Sequence, residues 1–224
     1  MNWSKLLTQK RRSWNKINMW PRDYLSHSQK SLWKSSKKAY YDRYLYDKTF
    51  SSIYTKFGSK MANALEYDEE TDDEMLNIVM ELLPKFEMMD KPTDVEMNIG
   101  GKIKLHGRMD SRKEDHSAFK EYKSGKYKPN GKPAWTQAMV DKDAQITFYA
   151  TMCYLITKKI PTDIELVWAV TEINPENSKE IIATGEIYRF TTYRTISQII
   201  NEMADIKKVW REIGQGCAKE LLIN

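Results

Sequence analysis

Asp110, Glu121 and Lys123 are the residues of this chain whose types and spacing carry chemistry. They lie in the stretch GRMDSRKEDHSAFKEYKSGK, residues 107–126. Asp110 closes an alternating run, residues 102–110, in which Ile103, Leu105, Gly107 and Met109 share one face, as the period of two in a strand requires. A charged turn follows, and a second strand begins near Ser117. On it Glu121 and Lys123 stand at i and i+2, so both side chains point the same way. A hairpin of this kind brings two carboxylates and one ammonium to the end of a sheet. Two carboxylates that leave coordination positions to water suit Mg²⁺. A lysine beside them can hold or deprotonate an attacking water, which is equipment for metal-assisted hydrolysis of a phosphodiester. An ordinary solvated turn also carries acids and bases. Gly107 in a G-x-x-D run, the Ser124-Gly125 end of the second strand, and Gln145 and Tyr149 on a helix soon after favour the chemical reading.

The elements that position these residues follow from pattern. A chain of 224 residues with 41% hydrophobic content and seven tryptophans suits one sizeable domain with a full core. No apolar run approaches the roughly 18 residues that would span a bilayer. The segment MNWSKLLTQKRRSW lacks the continuous apolar stretch of a secretory signal, so no membrane partner and a cytoplasmic setting are expected. Cys153 and Cys217 form neither a metal-ligand spacing nor a disulfide framework, and Cys153, in an apolar helix, reads as a buried thiol.

Residues 1–20 read as irregular or weakly helical, and residues 1–22 as a basic arm ahead of a domain over 23–224. Ser26 or Ser28 caps a helix to about Tyr46, and a second helix covers Phe50 to Leu65. Acids from Glu66 to Glu74 form a solvated turn, Glu66 apart. Asp72 or Asp73 caps a third helix that Pro84 stops. Strands are expected at 93–99, 102–110 and 117–123, with Gly100-Gly101 as the first turn. The segment KYKPNGK, residues 126–132, is a loop. Asp141 or Asp143 starts a helix to about Lys158. Strands at 164–173 and 181–190 follow, the former apolar on both faces as in a covered sheet, and a helix from Thr192 to about Ile213 ends the series. The order gives an α/β domain with a central mixed sheet of about five strands flanked by helices.

The net charge of +5 hides an asymmetry. Residues 1–48 hold twelve Lys or Arg against Asp23, Asp42 and Asp47, a local +9, so the remainder sums to 5 − 9 = −4. Trp3, Trp14, Trp20, Trp33, Tyr24, Tyr40, Tyr41, Tyr44 and Tyr46 are interleaved. Cations with aromatic rings suit a nucleic-acid track, while the helical spacing of Trp33, Tyr40 and Tyr44 equally suits a core. His27, His106 and His116 have no metal-ligand spacing and read as structural or surface residues.

Taken in order, the pieces resemble the PD-(D/E)XK nuclease superfamily, and within it the RecB-like and phage-type exonuclease group. The opening segment YLSHSQKSLWKSSKKAYYDRYLY (24–46), the helix FGSKMANALE (57–66), G-x-x-D at 107–110, E-x-K at 121–123 and Q-x-x-x-Y at 145–149 carry the likeness. It covers the chain from about Tyr24 to the last helix and implies a restriction-endonuclease-like core. It implies Asp110 and Glu121 as ligands of Mg²⁺ or Mn²⁺, with the carbonyl of Tyr122 as a third and Glu66 as the outer carboxylate. Lys123 would position or activate water, and Gln145 and Tyr149 would orient the site or touch the DNA backbone. Ala62 stands where the group usually has a metal-binding histidine, and two cysteines cannot supply the four ligands of an iron–sulfur cluster, so none is expected. The activity implied is a DNA exonuclease of recombination, repair or phage DNA processing. A structure-specific or non-specific endonuclease and an inactive DNA-binding module are the alternatives. The resemblance also allows a phage-encoded protein acting in a host cytoplasm. A homo-oligomer or a partner recombination or helicase protein fits it too, since the chain carries no nucleotide-binding loop of its own.

Overall fold

Local capping chemistry sets most element boundaries in the computed structural model, which describes residues 20–49, 51–89, 91–98 and 101–223. Trp3, Trp14 and most of the expected arm lie outside the described residues. Strand β1 (Tyr24–Leu25) precedes helix α1 (His27–Ser35), whose cap Ser26 accepts from the Gln29 amide at 3.3 Å. The helix expected to reach Tyr46 breaks at Ser36, which is extended and caps α2 (Lys37–Tyr40) by accepting from the Ala39 amide. A serine that bonds a following amide competes with continued helix. A π-helical turn, Tyr41–Leu45, then completes the segment.

Helix α3 (Ile53–Tyr67) begins at a capping box in which Thr55 N donates to Ser52 Oγ at 3.1 Å and Ser52 N to Thr55 Oγ1 at 2.8 Å, satisfying two end donors reciprocally. Phe50, the expected start, lies outside the described residues. Asp73 caps α4 (Glu74–Leu82). After β2 (Met88–Met89) come β3 (Pro92–Asn98), β4 (Lys102–Arg108), β5 (Ser111–Arg112) and β6 (Ala118–Gly125). Helix α5 (Gln137–Val140) leads to α6 (Ala144–Thr157), capped by Asp143. Strands β7 (Asp163–Ile173) and β8 (Ile181–Thr192) follow, and α7 (Ile196–Ile223) closes the chain. No helix among the described residues is long and apolar enough to cross a membrane.

The expected class is present: a mixed sheet of five strands in the order β2-β5-β6-β7-β8, flanked by helices. Strands β6 and β7 are parallel, joined through α6, and β7 is buried continuously from Ile164 to Thr171. Helices α6 and α7 pack on one face of this sheet and α3 and α4 on the other.

One expectation is corrected. The strands around Asp110 and Glu121 are not partners in a single hairpin. Strand β4 belongs to a separate three-stranded sheet, β1-β4-β3. After Arg108 the chain crosses over, and only Ser111 and Arg112 pair with β6, opposite Lys120 and Phe119. Met109 is fully buried in the crossing, and Asp110 sits at the corner between the sheets. Beyond Lys120, β6 therefore has β7 on one side and an open edge on the other.

Candidate active site

The open edge of β6 is where the site forms. A strand edge exposes unpaired amide groups, and the Tyr122 amide donates to Asp110 Oδ2 at 2.7 Å. The corner between the two sheets thus places a carboxylate where a neighbouring strand would otherwise be. Gly107 brings β4 close to α6: a Cβ there would lie 2.7 Å from Met152 Sδ and 2.9 Å from the Tyr149 ring. Only a residue without a side chain admits that approach.

Glu121 and Lys123 share the face covered by α6. Lys123 Nζ donates to Glu121 Oε1 at 2.7 Å and to Gln145 Oε1 at 2.8 Å. Gln145 Nε2 donates to Glu121 Oε1 at 2.6 Å and to Tyr149 Oη at 3.1 Å. Gln145 and Tyr149, one helical turn apart on α6, are joined by that bond as expected from their spacing. Tyr149 is only 5% exposed, and its hydroxyl accepts from Gln145.

One atom stands out. Glu121 is 2% exposed and its Oε1 takes both hydrogen bonds, while its Oε2 is buried with no hydrogen-bond partner among the described residues. A pocket of about 200 Å³ is lined by Asp110, Glu121, Tyr122, Lys123 and Ser124 from the β6 edge and by Gly58, Met61, Ala62 and Leu65 from α3. Burial pushes the Glu121 carboxyl above its ordinary value against the pull of Lys123. Burial works to lower the Lys123 ammonium, but the charges of Glu121 and Asp110 overcome it and hold the group above its ordinary value.

Asp110, Glu121, Tyr122 and Lys123 are thus gathered at one pocket, with Gln145 and Tyr149 behind them. Glu66 is not among the pocket residues; it accepts from Arg108 Nη2 at 2.8 Å. No group of three His, Cys, Asp or Glu side chains close enough to hold a metal ion occurs among the described residues. Arg108 was not singled out in the sequence, although it stands two positions before Asp110 at the same strand end. Met61 and Leu65 form the opposite wall, and their helical spacing marked them only as core.

The basic, aromatic segment is largely a packing layer against α7. Trp33 and Tyr40 are buried, and Trp33 Nε1 donates to Glu212 at 3.0 Å. The buried Lys30 pairs with Glu202 and, at 2.9 Å, with Asp205. Lys34 pairs with Asp205, and Lys38 and Lys48 with Asp42. Trp20 stacks on Trp210 at 5.0 Å. For Trp33 and Tyr40 the core reading holds, while Tyr41 and Tyr44 are half-buried. Of the histidines, His106 pairs with Asp94 at 2.8 Å, His27 packs edge-on to Phe148, and His116 occupies a left-handed turn position. Cys153 and Cys217 are buried thiols.

No family model and no curated protein sequence matches the chain. Its fold is similar to that of a phage-related exonuclease from Haemophilus somnus 129PT, with a TM-score of 0.50 and 13% identity over 89% of this chain and 86% of that one. It is also similar to a protein of Eubacterium rectale provisionally assigned as an exonuclease, with a TM-score of 0.53 and 11% identity over 96% of this chain and 87% of the other. At such identities the likeness is one of architecture, and the chain has the α/β fold of these exonuclease structures.

Proposed function

We propose that the protein is a divalent-metal-dependent DNA nuclease of the PD-(D/E)XK type, an exonuclease serving recombination, repair or phage DNA processing. The observation that carries this reading is the buried Oε2 of Glu121, without a hydrogen-bond partner among the described residues, on a residue that lines a pocket with Asp110 and Lys123. Leaving such an acceptor unsatisfied costs roughly 1–3 kcal/mol, more for a charged group, and a cation would remove that cost. The donor set fits: two carboxylates and a nearby backbone carbonyl are hard oxygen ligands of the kind Mg²⁺ and Mn²⁺ take. Asp110 and Glu121, with the Tyr122 carbonyl, would hold the ion. Glu66, which accepts from Arg108, would be the outer acid. When bound, the ion would polarise the scissile phosphate and offset the charge that develops on it.

The chain's own residues do the rest. An ammonium has three donors, and Lys123 uses two on Glu121 and Gln145. The third is left to orient a water or a phosphate oxygen, with the proton staying on Nζ. Gln145 locks Lys123 and Glu121 into one geometry, and Tyr149 locks Gln145, so alignment is set before substrate arrives. Met61, Ala62 and Leu65 restrict water on the opposite side.

The test is digestion of end-labelled single- and double-stranded DNA with Mg²⁺, with Mn²⁺ and with chelator. Wild type is expected to release nucleotides only with a divalent ion, and Glu121→Gln and Lys123→Ala are each expected to lose at least about a hundredfold. Activity that persists in folded Glu121→Gln sinks the proposal. Covalently closed circles separate the exonuclease from an endonuclease, since sustained cutting of circles contradicts the former.

A further inference from the structure

The wall of the pocket does not stop at the catalytic residues. Helix α3 runs alongside β6, so that Met61, Ala62 and Leu65 face Glu121 to Lys123. One turn earlier a Cβ on Gly58 would lie 3.8 Å from Ser124 Oγ. One turn earlier again the Tyr54 ring, 42% exposed, lies under Lys126 Nζ at 5.5 Å. From Lys123 to Lys126 is on the order of 10 Å at about 3.3 Å per extended residue, the rise of about three stacked nucleotides.

The loop that starts at Lys126 is built to hold its shape. Tyr127 packs edge-on to Trp168 at 5.3 Å, and its hydroxyl bonds Tyr188 at 2.7 Å and Glu186 at 2.9 Å. Trp168 Nε1 donates to the Gly125 carbonyl at 2.8 Å. A tight turn closes with Gly131 N donating to Lys128 O and Lys128 N to Lys132 O, both at 2.9 Å, and Gly131 takes a φ of 71°. This pinned loop presents Lys126, Lys128 and Lys132 to solvent. No ion pair among the described residues engages them, and the sequence from Lys123 to Val140 contains four lysines and no acid. Some lysines nearer the core are neutralised locally, as Lys60 is by Asp72 and Lys120 by Glu165.

We propose that Tyr54 with Lys126, Lys128 and Lys132 forms a binding site for an unpaired nucleic-acid strand leading into the pocket, the ring stacking on a base and the lysines meeting its phosphates. An unpaired strand fits because only an unpaired base offers its face to a ring. This deepens the nuclease reading and rests on it.

The test measures binding of a fluorescein-labelled 20-nucleotide single-stranded DNA in chelator, from 50 to 200 mM salt. Wild type is compared with the triple variant Lys126→Ala/Lys128→Ala/Lys132→Ala and with Tyr54→Leu, after circular dichroism shows each folded. The triple variant is expected to lower the slope of log affinity against log salt by about 2, near 0.7 per phosphate contact. Tyr54→Leu is expected to keep the wild-type slope and to bind about tenfold more weakly, while inorganic polyphosphate competes equally well against wild type and Tyr54→Leu. A wild-type slope in the triple variant, or wild-type affinity in Tyr54→Leu, overturns this site and leaves the nuclease reading standing. Activity that survives in Glu121→Gln overturns the nuclease reading, whatever the salt slopes are.

Discussion

Neighbouring residues on β6 build two carboxylate–cation clusters on opposite faces of one strand, and only one of them is complete. On one face Glu165 accepts from Lys120 at 2.6 Å and from Arg189 at 2.5 and 3.1 Å, so both its oxygens are occupied. Burial works to raise that carboxyl, but the hydrogen bonds of Arg189 and Lys120 overcome it and hold it below its ordinary value. On the other face Glu121 gives one oxygen to Lys123 and Gln145 and keeps the other buried and partnerless among the described residues. Burial and the acid are nearly the same, but Glu165 meets two cations and Glu121 meets one cation and a neutral amide. The difference is one carboxylate oxygen without a hydrogen-bond partner among the described residues, on a residue that lines a pocket, and the proposed metal site rests on it.

Substitutions in the two clusters should therefore fail in different ways. Glu121→Gln should abolish nuclease activity, at least about a hundredfold, yet shift stability by no more than about 1 kcal/mol in chelator. The reason is that Lys123 is 24% exposed and keeps water and Gln145 as partners. Glu165→Gln should do the opposite. It strands Lys120, whose side chain is 7% exposed, and such losses cost about 3–5 kcal/mol, read by urea unfolding, while kcat per folded molecule is retained. A large stability loss in the first variant, or none in the second, would erase the distinction. Gly107→Ala should cost about 1–3 kcal/mol, because the added methyl overpacks Met152 and Tyr149, and should lower kcat by disturbing Asp110 and the Tyr149–Gln145 brace together.

The last expected effect is a pH dependence centred on His27. Burial, with Lys30 and Lys123 assisting and Asp143 opposing, lowers His27 from 6.5 to about 4. The unfolded chain then takes up a proton that the folded chain refuses between those two values. Stability from this residue is full above pH 6.5 and is lost as pH falls towards 4, by roughly 1–3 kcal/mol. His27→Gln should flatten that part of the curve of unfolding free energy against pH. An unchanged slope would place the ring in water.

The site was more legible in the sequence than the path of the chain that builds it. That Glu121 and Lys123 share a face, and that Gln145 and Tyr149 share another, follows from spacing along strand and helix and is seen in their hydrogen bonds. The caps at Ser26, Asp73 and Asp143 were local and readable for the same reason. Strand partnership is not local, so the crossing from one sheet to the other at Asp110 left no mark in the pattern. The last helix, expected over Thr192 to about Ile213, spans Ile196–Ile223. Gly214 and Gly216 resemble a helix stop after Ile213, but the helix runs on to Ile223. A Cβ on Gly214 would meet the Trp20 ring at 2.7 Å, and one on Gly216 would collide with Trp33. These glycines serve close packing inside the helix. The same packing decides between the two readings left open for Trp33 and Tyr40, which are buried. A buried ring and a base-stacking ring have one composition, and only burial tells them apart.

Titration of Mn²⁺ into the folded protein by calorimetry tests the incomplete cluster most directly. Wild type should show saturable, stoichiometric binding that Asp110→Ala and Glu121→Gln both abolish, whereas Glu165→Gln, held at a temperature where it is folded, binds as wild type does. No saturable heat in wild type, or equal binding in Glu121→Gln, would contradict the assignment of the open carboxylate as a metal ligand.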